Sequence, residues 1–458
     1  MSELNRSELP EPSAPAVQQG EPSCDPPSRK SSRRQFIKTG SAVTAGLTGA
    51  AALQRPVRGA EPSEGKPELV RIGIVGLGGR GTGALTDTLT INDNVQLVAT
   101  ADVDPYKQQI LKRLEKFGEK VSVAPGKNYL GIDSYKQVLD DPDVDLVIMT
   151  TPPGFRPQYV MDAVDAGKHV FAEKPSCVDP AGYRLCLQAH EKAKANGTAI
   201  VTGTQYRRQT NYVEAVRQIH EGVIGDVINM TARYCSNGIW YRPRKEGMSD
   251  TQYQVHNWMH FIWLSGDQIA EQAVHNIDLM NWVMQDAPVS AYGSGGRFTR
   301  PEDSEMWDNV SVDYTYPGSR QVSFMCRQIP GTAGDNSNHI YGSKGTATIY
   351  GSNRGASIVD RAGKEIWSMK GDISAAYKQE HKDLVDSIRA GDPIVELKET
   401  ADSSMTAILG RAAAYTGQNV TWDFMVNESK QALFPADFDI NGPRPESHHA
   451  VPGETKLV

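Results

Sequence analysis

Val70-Arg71-Ile72-Gly73-Ile74-Val75-Gly76-Leu77-Gly78-Gly79-Arg80-Gly81 is the stretch that decides the fold of this 458-residue chain. A short apolar run, read as a strand, leads into glycines at the first, third and sixth positions of a turn, and a helical pattern follows from Gly81 to Leu89. In such a turn Gly76 permits the tight bend, Gly78 lets a pyrophosphate approach the backbone, and Gly81 lets the helix pack against the strand. The phosphates then rest on the helix N-terminus, whose unpaired N–H groups favour an anion. Gly79 and Arg80, inside the same turn, join Gly76, Gly78 and Gly81 as candidate cofactor-binding residues. A second strand, Val95–Thr100, is followed by Asp102. A carboxylate there accepts bonds from ribose hydroxyls and repels a 2′-phosphate, so the expected cofactor is NAD rather than NADP.

On either side of this turn, strand and helix alternate as far as about Thr204. Helical stretches are expected at Pro105–Phe117 and Gln158–Ala166, and strands at Asp145–Thr150, His169–Ala172 and Thr198–Gly203. Short, nearly continuous apolar strands between amphipathic helices require a parallel sheet covered on both faces. Residues 69–205 therefore read as a doubly wound Rossmann domain, with Thr151 and Pro152, just past the strand Asp145–Thr150, added to the cofactor set. Residues 206–430 change in texture. A helix at Asn211–Glu221 precedes alternating runs such as Val310–Tyr314, Gln321–Met325 and Thr346–Tyr350, with further helices at Gln379–Ala390 and Thr400–Tyr415. This is the pattern of an α+β domain with a mixed or antiparallel sheet. Residues 431–458 read as a tail, mobile from about Asn441.

Residues 1–60 read as a disordered leader. Within it Ser32-Arg33-Arg34-Gln35-Phe36-Ile37-Lys38 runs into the small-residue stretch Thr39–Leu53, the pattern of a twin-arginine export signal, with Ala60 a candidate cleavage point. The expected location is the periplasm or another extracytoplasmic space, or the cytoplasm if the leader does not function. No apolar run reaches the roughly 20 residues that a membrane-spanning helix needs. A net charge of −7, without a basic stripe, argues against nucleic-acid binding. The five cysteines Cys24, Cys177, Cys186, Cys235 and Cys326 show neither paired nor zinc spacing, and free thiols and no metal are expected.

Two further segments carry chemistry. Glu173-Lys174-Pro175 follows the strand His169–Ala172, at the carboxyl end of the sheet where ligands of open α/β folds bind. Glu271-Gln272-Ala273-Val274-His275-Asn276-Ile277-Asp278 spaces Glu271, His275 and Asp278 so that one continuous helix would present them on one face. Two carboxylates there could fix the tautomer of His275.

Together these motifs resemble the glucose–fructose oxidoreductase, inositol dehydrogenase and MocA (Gfo/Idh/MocA) family. The resemblance runs from about residue 69 to about 425 and includes Gly225-Asp226-Val227 and Gly342-Ser343-Lys344-Gly345. It implies that the family's catalytic lysine falls at Lys174 and its histidine at His275. The aspartate four residues before that histidine in sugar-oxidising members is Glu271 here. His275 would take a proton from a substrate hydroxyl, Lys174 would steady the alkoxide, and Glu271 or Asp278 would orient the histidine, with Glu173 and Lys174 also close to the cofactor. Gln205, Tyr206 and Arg207, and His256, Asn257 and Trp258, are the candidate substrate residues. Trp240, Trp258 and Trp263 are candidates for stacking on sugar faces. The expected activity is NAD-dependent oxidation of a hydroxyl on a sugar, polyol or glycoside. The alternative is a redox-neutral glycoside hydrolase or sugar–sugar oxidoreductase with a captive cofactor, which export away from free NAD would favour. A third reading, a non-enzymatic nucleotide-binding protein, is opposed by Lys174 and His275. Expected partners are a carbohydrate, the twin-arginine export machinery and further copies of the chain, as a dimer or tetramer.

Overall fold

The computed structural model describes residues 68–105, 109–443 and 449–458. The twin-arginine segment, Thr39–Leu53, Ala60 and Cys24 lie outside these residues. The nucleotide-binding domain contains strands β1 (Val70–Val75), β2 (Val95–Asp102), β3 (Asn128–Leu130), β4 (Leu146–Met149), β5 (His169–Ala172) and β6 (Ile200–Thr202). Its helices are α1 (Gly79–Ile91), α2 (Ile110–Leu114), α3 (Ser134–Asp140), α4 (Arg156–Asp165) and α5 (Pro180–Asn196). The strands form one parallel sheet in the order β3-β2-β1-β4-β5-β6. The order reverses at β1 and β4, which opens a crevice at their carboxyl ends. The described part of the helical stretch expected at Pro105–Phe117 is α2 continued by 3-10 turns over Glu115–Lys120, within which Gly118 takes φ 55°; residues 106–108 lie outside the described residues.

The second domain follows with α6 (Thr210–His220), β7 (Val227–Ser236), α7 (Asp250–His256), α8 (Ile262–Ser265), α9 (Asp267–Glu271) and α10 (Val274–Met284). Then come β8 (Ser290–Gly296), β9 (Asn309–Tyr316), β10 (Arg320–Gln328), β11 (Asp335–Gly342), β12 (Gly345–Tyr350), β13 (Ala356–Asp360) and β14 (Glu365–Met369). Two long helices, α11 (Ile373–Ala390) and α12 (Leu397–Thr416), precede the short β15 (Val420–Thr421). The sheet order is β14-β13-β12-β11-β7-β10-β9-β8-β15, antiparallel except where β7 and β10 run parallel. Helices α6, α10 and α12 cover one face. The other face is open, and Tyr292 and Met325 are exposed on it.

The chain does not divide cleanly at residue 206. Helix α11 returns to the nucleotide-binding domain, packing on α1 and burying Leu384 and Val385 with Ile72, Leu85 and Val201. Just after it the Ile394–Glu396 segment extends the first sheet, with Ile200 N–H donating to Ile394 O and Glu396 N–H donating to Ile200 O. The tail is also packed where it is described. Leu433 N–H donates to Asp179, and Phe434 and Phe438 sit edge-on to Phe155. Ser249, Thr251 and Gln252 bond to Ile440, Gly442 and Asn441. Bonds to Asn441 and Gly442 thus tie the start of the segment expected to be mobile to α7.

Candidate active site

The site is assembled where the carboxyl ends of β1, β4 and β5 meet the start of α10. Gly76 bends the chain at φ +95°, a conformation that side chains with a Cβ rarely adopt. A Cβ on Gly81 would lie 2.0 Å from Gly76 O and 2.6 Å from Thr150 Oγ1, so only glycine lets α1 start this close to the turn. Gly78 and Gly79 instead face open space, with no atom within 4 Å of an added Cβ. The 13-residue helix α1 starts with no side-chain cap and no acidic residue in its first turn. A bare positive helix end beneath an open glycine cradle fits a pyrophosphate. Asp102 stands beside it, its Oδ2 accepting from Leu77 N–H at 2.6 Å and its Oδ1 from Asp104 N–H at 2.9 Å. These residues fit a dinucleotide.

The contrast between the glycines predicts two phenotypes. Gly81→Ala should lower stability by about 1–3 kcal/mol or more through overpacking. Gly78→Ala should keep the wild-type melting temperature but weaken NAD binding by about tenfold or more through lost backbone contact with the phosphates. Thermal unfolding and NAD titration of both variants check this.

Lys174 and His275 come from different domains and meet here. The Lys174 ammonium donates to Glu271 O and to Glu271 Oε1, the latter at 3.1 Å. His275 is half-buried, with its ring edge-on to Tyr206 at 5.3 Å between centroids. Burial first, then the nearby cations of Lys174 and Arg80, push its imidazole well below its usual value. It is therefore neutral at pH 7, as a general base must be.

The expected orienting partners do something else. The helix is not continuous, because the chain turns at Gln272 and Ala273 between α9 and α10. Glu271 therefore leaves the face of His275 and bonds to Lys174. Asp278 forms a two-point pair with Arg207, at 2.8 and 2.9 Å, and accepts from Ser403 Oγ. Among the described residues neither carboxylate bonds to His275. Asp278 instead anchors α10 from one side, and Asn276, donating to Arg233 O and Asn338 Oδ1, anchors it from the sheet.

Several candidate substrate residues are occupied by the protein itself. The Arg207 guanidinium is committed to Asp278 and lies over Trp282. Gln205 is buried and donates to Tyr377. Asn257 is fully buried, exchanging bonds with the backbone of Arg242. Tyr206 stacks on Tyr212, and its hydroxyl accepts from Ser352 N–H. Trp263 is in the core against Phe155 and Phe434, which rules it out as a sugar platform. Trp240 and Trp258 remain half-buried in edge contact at 6.2 Å, and His256 on α7 is also half-buried. The Arg242 guanidinium lies over the Trp240 ring, 4.0 Å from its centre.

Arg80 does not point into the open cradle. It pairs with Glu173 and, at 3.2 Å, with Glu380, and lies over the Tyr377 ring. Burial alone would push the Glu173 carboxyl up, but Arg80, with Lys174 and Arg156, holds it below the usual range. Burial pushes fully enclosed Glu380 well up, and its Oε2 has no partner among the described residues. Glu380 and Tyr377 were not anticipated. The available signal was a carboxylate among the buried positions Ala376, Leu384 and Val385 of α11. Thr151 and Pro152 follow β4 as expected, and Thr151 O accepts from Arg156.

A Rossmann domain with a glycine cradle, joined to a mixed-sheet domain that brings a histidine to its lysine, defines a nucleotide-dependent oxidoreductase architecture. The chain belongs to the Gfo/Idh/MocA family. Residues 70–200 match the model of the oxidoreductase family with an NAD-binding Rossmann fold, and residues 212–348 match the GFO/IDH/MocA C-terminal domain. The chain is 26% identical over 219 residues to an inositol 2-dehydrogenase/D-chiro-inositol 3-dehydrogenase of Lactiplantibacillus plantarum, covering 48% of this chain and 53% of that one. It is 28% identical over 221 residues to an alpha-N-acetylgalactosaminidase of Shewanella oneidensis, covering 45% and 47%. The chain thus spans about half the length of these curated relatives. Its fold matches the crystal structure of an aldose-aldose oxidoreductase from Caulobacter crescentus with a TM-score of 0.60 and 19% identity, covering 77% of this chain and 99% of that one.

Proposed function

We propose that this protein oxidises a hydroxyl group of a sugar, polyol or glycoside with NAD as hydride acceptor. The observation that carries the reading is the junction of the Lys174 ammonium with Glu271, beside a neutral His275. Gly76, Gly78, Gly81 and Asp102 would hold the dinucleotide, which when bound supplies a nicotinamide ring able to accept hydride. His275 takes the proton of the substrate hydroxyl as the carbon–hydrogen bond breaks. Lys174 offers a positive charge to the oxygen as it becomes an alkoxide. Glu271 orients Lys174 rather than the histidine. Trp258, and the face of Trp240 that Arg242 does not cover, provide apolar surface for the ring of the substrate. The Asp102 carboxylate supports NAD over NADP, by repulsion of a 2′-phosphate.

Arg33-Arg34 and the small-residue run behind them support export with the cofactor already bound. The open sheet face with Tyr292 and Met325 supports a dimer or tetramer. A redox-neutral glycosidase is the second reading, favoured by the similarity to the Shewanella galactosaminidase together with the export motif. In that route a ketone next to a C–H bond lowers its pKa, so that the proton and the anomeric substituent can be eliminated, water adds in the substituent's place, and the ketone is then reduced again.

The test is to denature purified, undialysed protein and identify the released nucleotide by absorbance and mass. NAD or NADH near one per chain is the expected result. Protein that carries no nucleotide and binds none on titration would remove the basis of the proposal.

A further inference from the structure

Arg156 opens α4 and is buried, at 2% exposure. Its guanidinium donates through one terminal nitrogen to Pro175 O and through the other, at 2.5 Å, to Thr151 O. These two carbonyls belong to the loops that leave neighbouring strands β4 and β5, which are paired to their ends at Met149 and Ala172. The loop after β4 carries Thr151 and Pro152, both in the expected cofactor set. The other carries Lys174, one residue before the carbonyl that Arg156 grips. The remaining nitrogen, Nε, has no hydrogen-bond partner among the described residues. Among the described residues its hydrogen bonds go to these two carbonyls and no carboxylate pairs with it. Enclosure pulls the guanidinium down to about 10, against the attraction of Glu173 and Glu271. An apolar side chain would fill the same space without the desolvation cost, so packing does not explain the charge.

We infer that Arg156 is a positioning residue that sets the distance between the Thr151–Pro152 loop, on the cofactor side of the site, and Lys174. A planar guanidinium fixes two donor directions at once, which a lysine ammonium on a flexible stem does not. His275 is anchored separately, through Asn276 to the sheet and Asp278 to Arg207. Loss of the Arg156 fork therefore shifts the lysine relative to a histidine that stays in place. A misplacement of about 1 Å in an active site costs on the order of 100-fold in rate. The inference rests on Lys174 being the catalytic lysine, but its test does not depend on turnover.

The full chain would be compared with Arg156→Met and Arg156→Lys. One readout is the rate at which acetic anhydride acylates Lys174, followed by mass spectrometry of its peptide. The other is NAD affinity by fluorescence titration. Both variants are expected to acylate Lys174 faster and to bind NAD about tenfold more weakly, in line with one lost charge-assisted bond. Arg156→Lys keeps the buried cation, so it serves if Arg156→Met does not fold. A folded Arg156→Lys protein with wild-type Lys174 reactivity and wild-type NAD affinity would overturn the inference. Failure of the wild-type protein to oxidise any carbohydrate would instead count against the proposed function, and these two readouts would still report on the positioning role.

Discussion

Replacing Lys174 with methionine is expected to slow single-turnover hydride transfer by about 100- to 1000-fold, the usual cost of removing one donor to a developing oxyanion. Methionine keeps much of the stem volume, and the glycine cradle is formed by other residues, so NAD affinity should stay within about threefold of wild type, less than one weak bond's worth. The same change should move a pH profile. Lys174 is one of the cations that hold the His275 imidazole low. A base with a lowered pKa is fully deprotonated above that pKa, and activity is lost as pH falls through it. Without the ammonium the imidazole rises toward its ordinary value of 6.5, so the acid limb of the residual activity should move to higher pH. Stopped-flow measurement across pH 5–8 checks both parts. A variant with near-normal rate, or with its acid limb unmoved, would contradict the role given to Lys174.

Replacing His275 with alanine is expected to lower the same rate by about 100- to 10,000-fold, the range usual for a positioned general base. The acid limb should then disappear, because the group that titrates on it is gone. The wild-type limb should lie below pH 6.5, since burial, Lys174 and Arg80 all depress the imidazole. Folding should be little affected. His275 makes no hydrogen bond among the described residues, and α10 is held by its neighbours Asn276 and Asp278. Turnover near the wild-type rate in folded His275→Ala would show that another group takes the proton.

The nucleotide-binding half was legible because its strands are short apolar runs and its glycine turn sits between a strand and a helix. Leu146–Met149 and Ile72–Val75 are buried as a doubly covered sheet requires. Lys174 and His275 were legible because each stands in a motif of neighbouring residues. Their helpers were less so. Spacing alone put Glu271 and Asp278 on the face of His275, and no glycine or proline marks the turn at Gln272 and Ala273 that breaks the helix. Arg207 looked free for substrate because its partner Asp278 is 71 residues away. The same limit hid where α11 docks. Its 3.6-residue period announces an amphipathic helix but not the surface it will cover, and that surface is α1, nearly 300 residues earlier in the chain. Arg156 was passed over because nothing in Thr151-Pro152-Pro153-Gly154-Phe155-Arg156 shows that its guanidinium would join two loops. Local periodicity reports on an element, whereas a polar side chain's partner is set by tertiary packing.

The most direct measurement of the central claim follows a labelled hydrogen. Protein loaded with NAD would be mixed with C-deuterated cyclitols, aldoses and glycosides, quenched within the first turnover, and its nucleotide weighed. Reduced nicotinamide carrying one deuterium is expected with at least one of these substrates, and unlabelled oxidised NAD when His275→Ala is used. Unlabelled oxidised NAD from the wild-type protein with every substrate would contradict hydride transfer at the Lys174–His275 site.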